Sequence, residues 1–138
     1  MNARSAEVLI EIKAILQANP LVTTVTIGKA DALAAETSDV AVYIQHPNLV
    51  PTISRNTVGT DGYDYKGYYL LTVNADCTAD DYKIYDLADS LQRSLLTDSA
   101  IWSKLVDRDI ITVEYDNYEF SPKRSMVIAL EVTFRMQA

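Results

Sequence analysis

The final stretch of the chain, Met126-Val-Ile-Ala-Leu-Glu-Val-Thr-Phe-Arg-Met136, decides the fold. Every second residue from Met126 to Met136 is large and apolar. Because successive side chains of a strand point to opposite faces, this pattern predicts a long strand with one wholly apolar face. The opposite face becomes polar towards its end, as expected where a sheet meets water or a partner. The rest of the chain must therefore supply the elements that cover the apolar face.

Length and composition bound the class of protein. The chain has 138 residues, of which 49% are hydrophobic, which predicts a single domain with a substantial core. No apolar run approaches the ~20 residues that cross a bilayer. The first residues lack the basic start and apolar stretch of a signal peptide, so we expect synthesis in the cytoplasm. Cys77 is the only cysteine and His46 the only histidine, which excludes an internal disulfide and a structural zinc site.

The charge balance is acidic, with 19 acidic and 12 basic residues and a net charge of −7. Such a surface repels phosphate backbones and argues against tight nucleic-acid binding. The charge has two interpretations: ordinary solubility, or a surface past which DNA moves without adhering. The chain contains nine tyrosines and two phenylalanines. Tyrosine is enriched at protein interfaces, so this excess points towards assembly with partners.

Hydrophobic periodicity predicts the first half of the chain. An apolar stripe at helical spacing over residues 2–19 predicts a helix that Pro20 terminates. Residues 21–27 are rich in β-branched side chains and predict a strand. Residues 29–38 fit either a short helix or a polar loop. Alternation over residues 39–46 predicts a second strand.

The second half has a similar pattern. Residues 67–75 predict a third strand, and Thr78 is the predicted N-cap of a helix that runs to about Leu96. The buried stripe predicted for this helix consists of Ile84, Leu87, Ala88, Leu91 and Leu95. One or two further helical turns are expected over residues 98–105. Residues 109–118 predict a fourth strand with Ile111, Val113 and Tyr115 on one face, and a turn then leads into the last strand. The order α-β-β-β-α-β-β predicts an α+β two-layer fold: a mostly antiparallel sheet with two main helices packed on one face.

A segment at about residues 47–66 interrupts this regular pattern within the single domain 1–138. It has no periodicity, is flanked by Pro47, and is long for a loop in a compact domain. We expect a protruding loop or hairpin with its tip near residues 56–62. Tyrosines 63, 65, 68 and 69 either contact a partner or pack on the hairpin. The residues predicted to mediate interactions are Asn56, Asp61, Tyr63, Tyr65 and Tyr68, together with Glu131 and Arg135 on the last strand.

No combination of residues matches a catalytic motif. Cys77 precedes a predicted helix N-terminus, where a thiolate would be favoured, but it has no partner motif. The carboxylates at residues 76–81 lack the spacing of a calcium loop. We therefore expect no enzyme activity, no metal and no cofactor. Two alternatives of another class remain: a small enzyme that uses Cys77 or the carboxylates of Asp61 and Asp64, and a ligand-binding module with the tyrosine-rich segment as a lid.

The chain resembles the tail terminator (tail completion) proteins of long-tailed bacteriophages. The similarity lies in the helix that ends in Asn19-Pro20-Leu21-Val22 and in the strand Gly67-Tyr-Tyr-Leu-Leu-Thr-Val73 leading to the helix with Tyr85-Asp-Leu-Ala-Asp-Ser-Leu91. It continues into the closing strand Ala129-Leu-Glu-Val-Thr-Phe134. Length and element order agree over nearly the whole chain. The family has no invariant catalytic motif, so the resemblance assigns a role to no single residue.

The resemblance implies a structural virion protein. Such a protein forms a hexameric ring at the head-proximal end of the tail tube, stops tube polymerisation and contacts the head connector. Its expected partners are copies of itself, the tail tube protein and the connector or stopper protein. DNA would pass through an acidic lumen without specific binding, and no membrane is involved. Another phage neck or head-completion component is the alternative within the same class.

Overall fold

The computed structural model describes residues 5–28, 39–52, 62–97, 107–116 and 123–137. Within these ranges the chain forms two helices and five strands in the order α-β-β-β-α-β-β. The elements are α1 (Ser5–Ala18), β1 (Thr24–Ile27), β2 (Val40–Thr52), β3 (Gly62–Asp76), α2 (Lys83–Leu96), β4 (Asp107–Asp116) and β5 (Lys123–Gln137). The further helical turns predicted at 98–105 and the helix or loop predicted at 29–38 lie outside the described residues.

The strands form one mixed sheet in the order β1-β2-β3-β5-β4. The short β1 runs parallel to β2, and every other neighbouring pair is antiparallel. The central pair is β3 with β5, matched without interruption from Gly62 opposite Gln137 to Asp76 opposite Lys123. This confirms the predicted α+β class. Strands β4 and β5 are antiparallel neighbours.

Both helices cover one face of the sheet, which we call the helix face. The apolar parity of β5 lies there, and Met126, Ile128, Leu130 and Val132 are each 0% exposed. The buried residues of α2 are those of the predicted stripe, and Val8, Ile12 and Leu16 fill the corresponding positions of α1. Burial of apolar surface stabilises a fold by about 25 cal/mol per Å². The apolar layer between the helices and the sheet is therefore the main source of stability.

The start of α2 differs from the prediction that Thr78 is its N-cap. The helix begins at Lys83, and the N-cap position is occupied by Tyr82, four residues after Thr78, without a side-chain capping bond. The Thr78 N–H and hydroxyl both donate instead to Asp76 Oδ1. Asp80 Oδ1 accepts the Tyr82 N–H at 2.9 Å. Two aspartate turns in succession, at Asp76 and Asp80, therefore take the place of the predicted cap.

The regular alternation predicted for Ile111, Val113 and Tyr115 is interrupted, because β4 contains a β-bulge. Ile110 pairs with Leu130 and Thr112 with Ala129, so Ile111 is an extra residue in the strand. Ile110 and Val113 pack against the core, whereas Ile111 is 47% exposed. One inserted residue shifts the side-chain alternation, which sequence parity cannot reveal.

The irregular segment at 47–66 begins and ends as sheet. Strand β2 continues to Thr52 and β3 starts at Gly62, with Pro51 opposite Tyr65. Pro47 falls at a register shift in β2, between Gln45 and Asn48. Because β1 pairs with β2 only as far as Ile44, the prolines lie where β2 has no described neighbour on its other side, a position that tolerates a missing N–H. The predicted tip lies outside the described residues except for Gly62, so the protruding hairpin stays a prediction.

Candidate interaction surface

The sheet face opposite the helices is the candidate interaction surface, and we call it the second face. On the central strands it consists of residues that alternate with the core. Most of them are half-buried rather than fully exposed. They are Lys66, Tyr68, Leu70 and Thr72 on β3 and Val127, Ala129, Glu131 and Thr133 on β5.

The second face changes in character along β3 and β5. Near its middle the cross-strand pairs are Leu70 with Ala129 and Thr72 with Val127, which are largely apolar. Towards one end it becomes polar, with Tyr68 opposite Glu131. A half-buried apolar centre beside a polar margin is the composition of many protein contact surfaces.

An ion pair lies at the polar end of this face. Lys66 Nζ is 3.2 Å from Glu131 Oε1, diagonally across β3 and β5. The hydrogen bond from Lys66 to Glu131 and the attraction between their charges raise the pKa of the Lys66 ammonium above its ordinary value. Sequence reasoning missed Lys66. Lys66 alternates with Tyr68 along β3, but its diagonal position across from Glu131 depends on the register of β3 against β5.

Tyr68 is held in place by its backbone as well as by its neighbours. The His46 ring nitrogen Nδ1 lies 2.9 Å from the Tyr68 carbonyl oxygen. A carbonyl only accepts, so His46 donates through Nδ1–H. The half-buried Tyr68 side chain is opposite Glu131 in the register. The structure therefore brings together two of the predicted interaction residues, Tyr68 and Glu131, on one face.

The register also shows how the other predicted interaction residues are arranged along the backbone. Tyr63 pairs with Met136, Tyr65 with Phe134, and Arg135 with Asp64. All three predicted residues thus belong to the same end of the paired strands β3 and β5. Asn56 and Asp61 lie outside the described residues.

Tyr69 does not belong to an exposed tyrosine group. Its side chain is 0% exposed on the helix face and stacks on His46, with ring centroids 4.3 Å apart and planes 10° from parallel. Burial raises the pKa of the Tyr69 hydroxyl well above its ordinary value. Tyr69 and His46 are therefore part of the packing that supports Tyr68. Tyr69 itself is not available to a partner.

Cys77 is unsuited to nucleophilic chemistry. Its side chain is 1% exposed, and burial raises the pKa of the thiol despite opposing effects from the Ile84 backbone, Arg124 and Lys83. A buried, protonated thiol is a poor nucleophile. It fills a place in the core beneath the start of α2.

The remaining features of the described residues carry no evident chemistry. No group of three or more histidine, cysteine or acidic side chains within the described ranges is arranged to hold a metal ion. No helix in those ranges is long and apolar enough to cross a membrane. A concavity of about 320 Å³ lies between the turn at Pro20–Thr23 and α2, and the ion pair of Lys83 with Asp39 at 2.7 Å lines it.

The fold of this chain occurs in a solved virus-like particle. A chain in the structure of the virion of a native gene transfer agent particle superposes with a TM-score of 0.61. The alignment covers 91% of this chain and 92% of that one, at 13% sequence identity. At this identity the likeness shows a shared fold. No family model matches the sequence, and no curated protein matches it either.

Proposed function

We propose that this protein is a structural virion component that closes the head-proximal end of a phage tail tube as a hexameric ring. In this role it stops tube polymerisation and presents a surface to the head connector. The observation that carries the proposal is the fold match over nine-tenths of both chains with a chain of a virion particle. The sequence resemblance to tail terminators supports the narrower assignment to the tube end.

The geometry is compatible with a protein whose role is contact. The face of β3 and β5 opposite the helices is half-buried and has an apolar centre. A cyclic ring needs heterologous contacts, so each protomer must carry two different complementary patches. We assign one patch to the polar end of the second face around Tyr68 and Glu131. The second patch is the hairpin whose paired strands end at Thr52 and Gly62.

The acidic balance fits a ring that DNA crosses. Carboxylates exceed basic side chains in the whole chain, giving a net charge of −7. A lumen with this excess repels the phosphate backbone and allows DNA to move without adhering. Sequence-specific DNA binding has no place in the proposed role.

The direct experiment is to add the purified protein to assembled tail tubes of its cognate phage and to image the tubes by negative-stain electron microscopy. We expect a ring at one end of each tube and no further growth when tube protein is added. Heads that contain the portal but lack tails are the matched alternative target. Selective binding to such heads and none to tubes would assign the protein to the neck instead.

Oligomeric mass gives an independent test. Light scattering or native mass spectrometry should show a hexamer, either alone or after exposure to tube ends. A protein that remains monomeric in the presence of tubes contradicts the proposed ring. Deletion of residues 56–62 should leave a folded protein with impaired assembly, because those residues form the predicted hairpin tip.

A further inference from the structure

The open side of β4 is a second surface that the proposed ring contacts do not use. Strand β4 ends the sheet, and no described strand lies beyond it. Most of its side chains are exposed to solvent. The exposed ones are Asp107, Asp109, Ile111, Thr112, Glu114 and Tyr115. An accessible edge strand offers backbone N–H and C=O groups to an added strand.

The edge carries a strong acidic bias. Strand β4 contains four carboxylates and one basic residue, Arg108. The Arg108 guanidinium donates to the Leu96 carbonyl at the end of α2, at 2.7 Å. By register, Asp109 and Glu114 pair with Glu131 and Val127, so both lie on the second face. A strand added along β4 would therefore meet carboxylates on that face.

On the helix face of the same edge, Ile110, Val113 and Tyr115 are apolar by register, and Arg108 is the charged residue. Tyr115 pairs with Met126 and is 37% exposed, and its ring contacts that of Tyr85 with centroids 4.9 Å apart. Ile111, at the bulge, is 47% exposed. Beyond the bulge, from Thr112 to Asp116, the alternation of β4 is regular. A partner strand whose side chains alternate between basic and apolar would match both faces of this segment at once, because its alternation has the same period.

We propose that β4 is a strand-addition site for an extended segment of another protein, with lysine or arginine on one face and apolar side chains on the other. Backbone pairing supplies the binding, and the carboxylates on the second face select basic partners. The apolar side chains of the added strand pack on the rings of Tyr85 and Tyr115, which contact each other.

A second copy of this chain does not fit the site as well. Two β4 strands placed edge to edge would bring like charges together, which is a recognised way for proteins to prevent self-association at sheet edges. The other described edge strand, β1, is neutral and only four residues long. In the described part of the chain, Lys66, Lys83 and Arg124 already pair with carboxylates. No described strand of this chain alternates basic with apolar side chains, so we assign the added strand to a different protein.

The test adds synthetic hexapeptides to the protein and measures their binding from the chemical shifts of the backbone amides. The first peptide, acetyl-Arg-Val-Arg-Val-Arg-Val-amide, has the required alternation. The second replaces the central valine by proline, which keeps the charge but prevents regular strand pairing. The third replaces arginine by glutamate. We expect the first peptide to bind and to shift the β4 amides, the second to bind about tenfold more weakly, and the third not to bind.

A charge reversal on the protein completes the test. Glu114→Lys should weaken binding of the first peptide by roughly threefold to tenfold. Glu11→Lys, the same change on α1, is the matched control and should leave the affinity unchanged. No binding at about 1 mM peptide overturns the proposal. Equal binding of the proline peptide, or shifts away from β4, also overturns it. Because no tail tube is present, the outcome is independent of the proposed ring.

Discussion

The side-chain amide of Asn19 donates a hydrogen bond to the Ser90 hydroxyl at 3.0 Å and thereby ties the end of α1 to the middle of α2. The same amide reaches Ser94 at 3.2 Å, and Asn19 Oδ1 accepts the Leu21 N–H at 2.9 Å. Asn19 is only 6% exposed. A buried amide with its partners in place contributes to stability, and removing it leaves its partners unsatisfied. Asn19 therefore fixes the direction in which the chain leaves α1 for β1.

Asn19→Ala should lower the free energy of unfolding by about 2 kcal/mol, because it removes three hydrogen bonds from a buried position. Urea denaturation followed by circular dichroism measures the change. Gln17→Ala, an exposed change in the last turn of α1, is the control and should cost less than about 0.5 kcal/mol. Equal costs for the two variants would contradict the assigned role of Asn19.

Two valines on β5 test which face of the sheet carries the core. Val132 is 0% exposed beneath the helices, whereas Val127 is half-buried on the second face. Val132→Ala should destabilise by roughly 2 kcal/mol, because it leaves a cavity in packed surroundings. Val127→Ala should lower the free energy of unfolding by less than half as much as Val132→Ala. The same urea titration decides between them, and a larger effect at Val127 would show that the second face is packed in the isolated protein.

The neighbouring isoleucines of β4 test the bulge. Ile110 packs against the core, and Ile111 is the exposed extra residue. Ile110→Ala should cost roughly 2 kcal/mol and Ile111→Ala less than about 0.5 kcal/mol. Thermal unfolding of the two variants side by side provides the comparison. The reverse order would restore the alternation that the sequence alone predicts.

Alkaline pH should destabilise the protein through Cys77. Burial raises the pKa of its thiol in the folded state, above the value of about 8.5 of an exposed thiol. Below that value both states keep the proton, so the contribution to stability is fully present. As pH rises, the unfolded chain loses its proton first, and stability falls until the pH passes the folded-state pKa.

The corresponding measurement is the urea midpoint between about pH 8 and about pH 10. The midpoint should fall more steeply for the wild type than for Cys77→Ala, which has no thiol to ionise. Reaction of native protein with a thiol reagent should be slow and should become fast in denaturant. Fast labelling of the native protein would show that the thiol is accessible after all.

Tyr68 tests the proposed ring surface. Tyr68→Ala should leave the protein folded and sharply reduce the fraction of tail tubes capped, because it removes an amphipathic side chain from the assigned patch. Tyr82→Ala, at a position 73% exposed beside α2, is the matched control. Electron microscopy counts capped tubes, and circular dichroism verifies folding. Normal capping by the Tyr68 variant would remove this end of the second face from the proposed contact.

The sequence predicted the fold wherever periodicity was long and regular. The alternation of β5 and the helical stripe of α2 each identified the buried residues, because one face of each element is apolar throughout. The prediction was wrong where a local interaction competed with the pattern. Thr78 bonds to Asp76 instead of capping α2, and the bulge at Ile111 reverses the alternation of β4.

The candidate surface was only partly predictable. Tyr68 and Glu131 were named from composition and parity, and the structure places them opposite each other. The ion pair of Lys66 with Glu131 depended on the register of β3 against β5. The burial of Tyr69 instead follows the alternation along β3, where Tyr69 shares a face with Leu71 and Val73. Register is a relationship between distant segments, so neither strand contains it alone.

The sequence by itself thus determined that β5 has one apolar face and that two amphipathic helices cover it, because hydrophobic burial follows from the spacing of side chains along each element. Tertiary structure alone decided that β4 forms an edge and that Asn19 joins the two helices. It also decided that Lys66 neutralises Glu131 on the second face. These features depend on which backbone groups become neighbours, and strand order and register are fixed only when all the elements pack together.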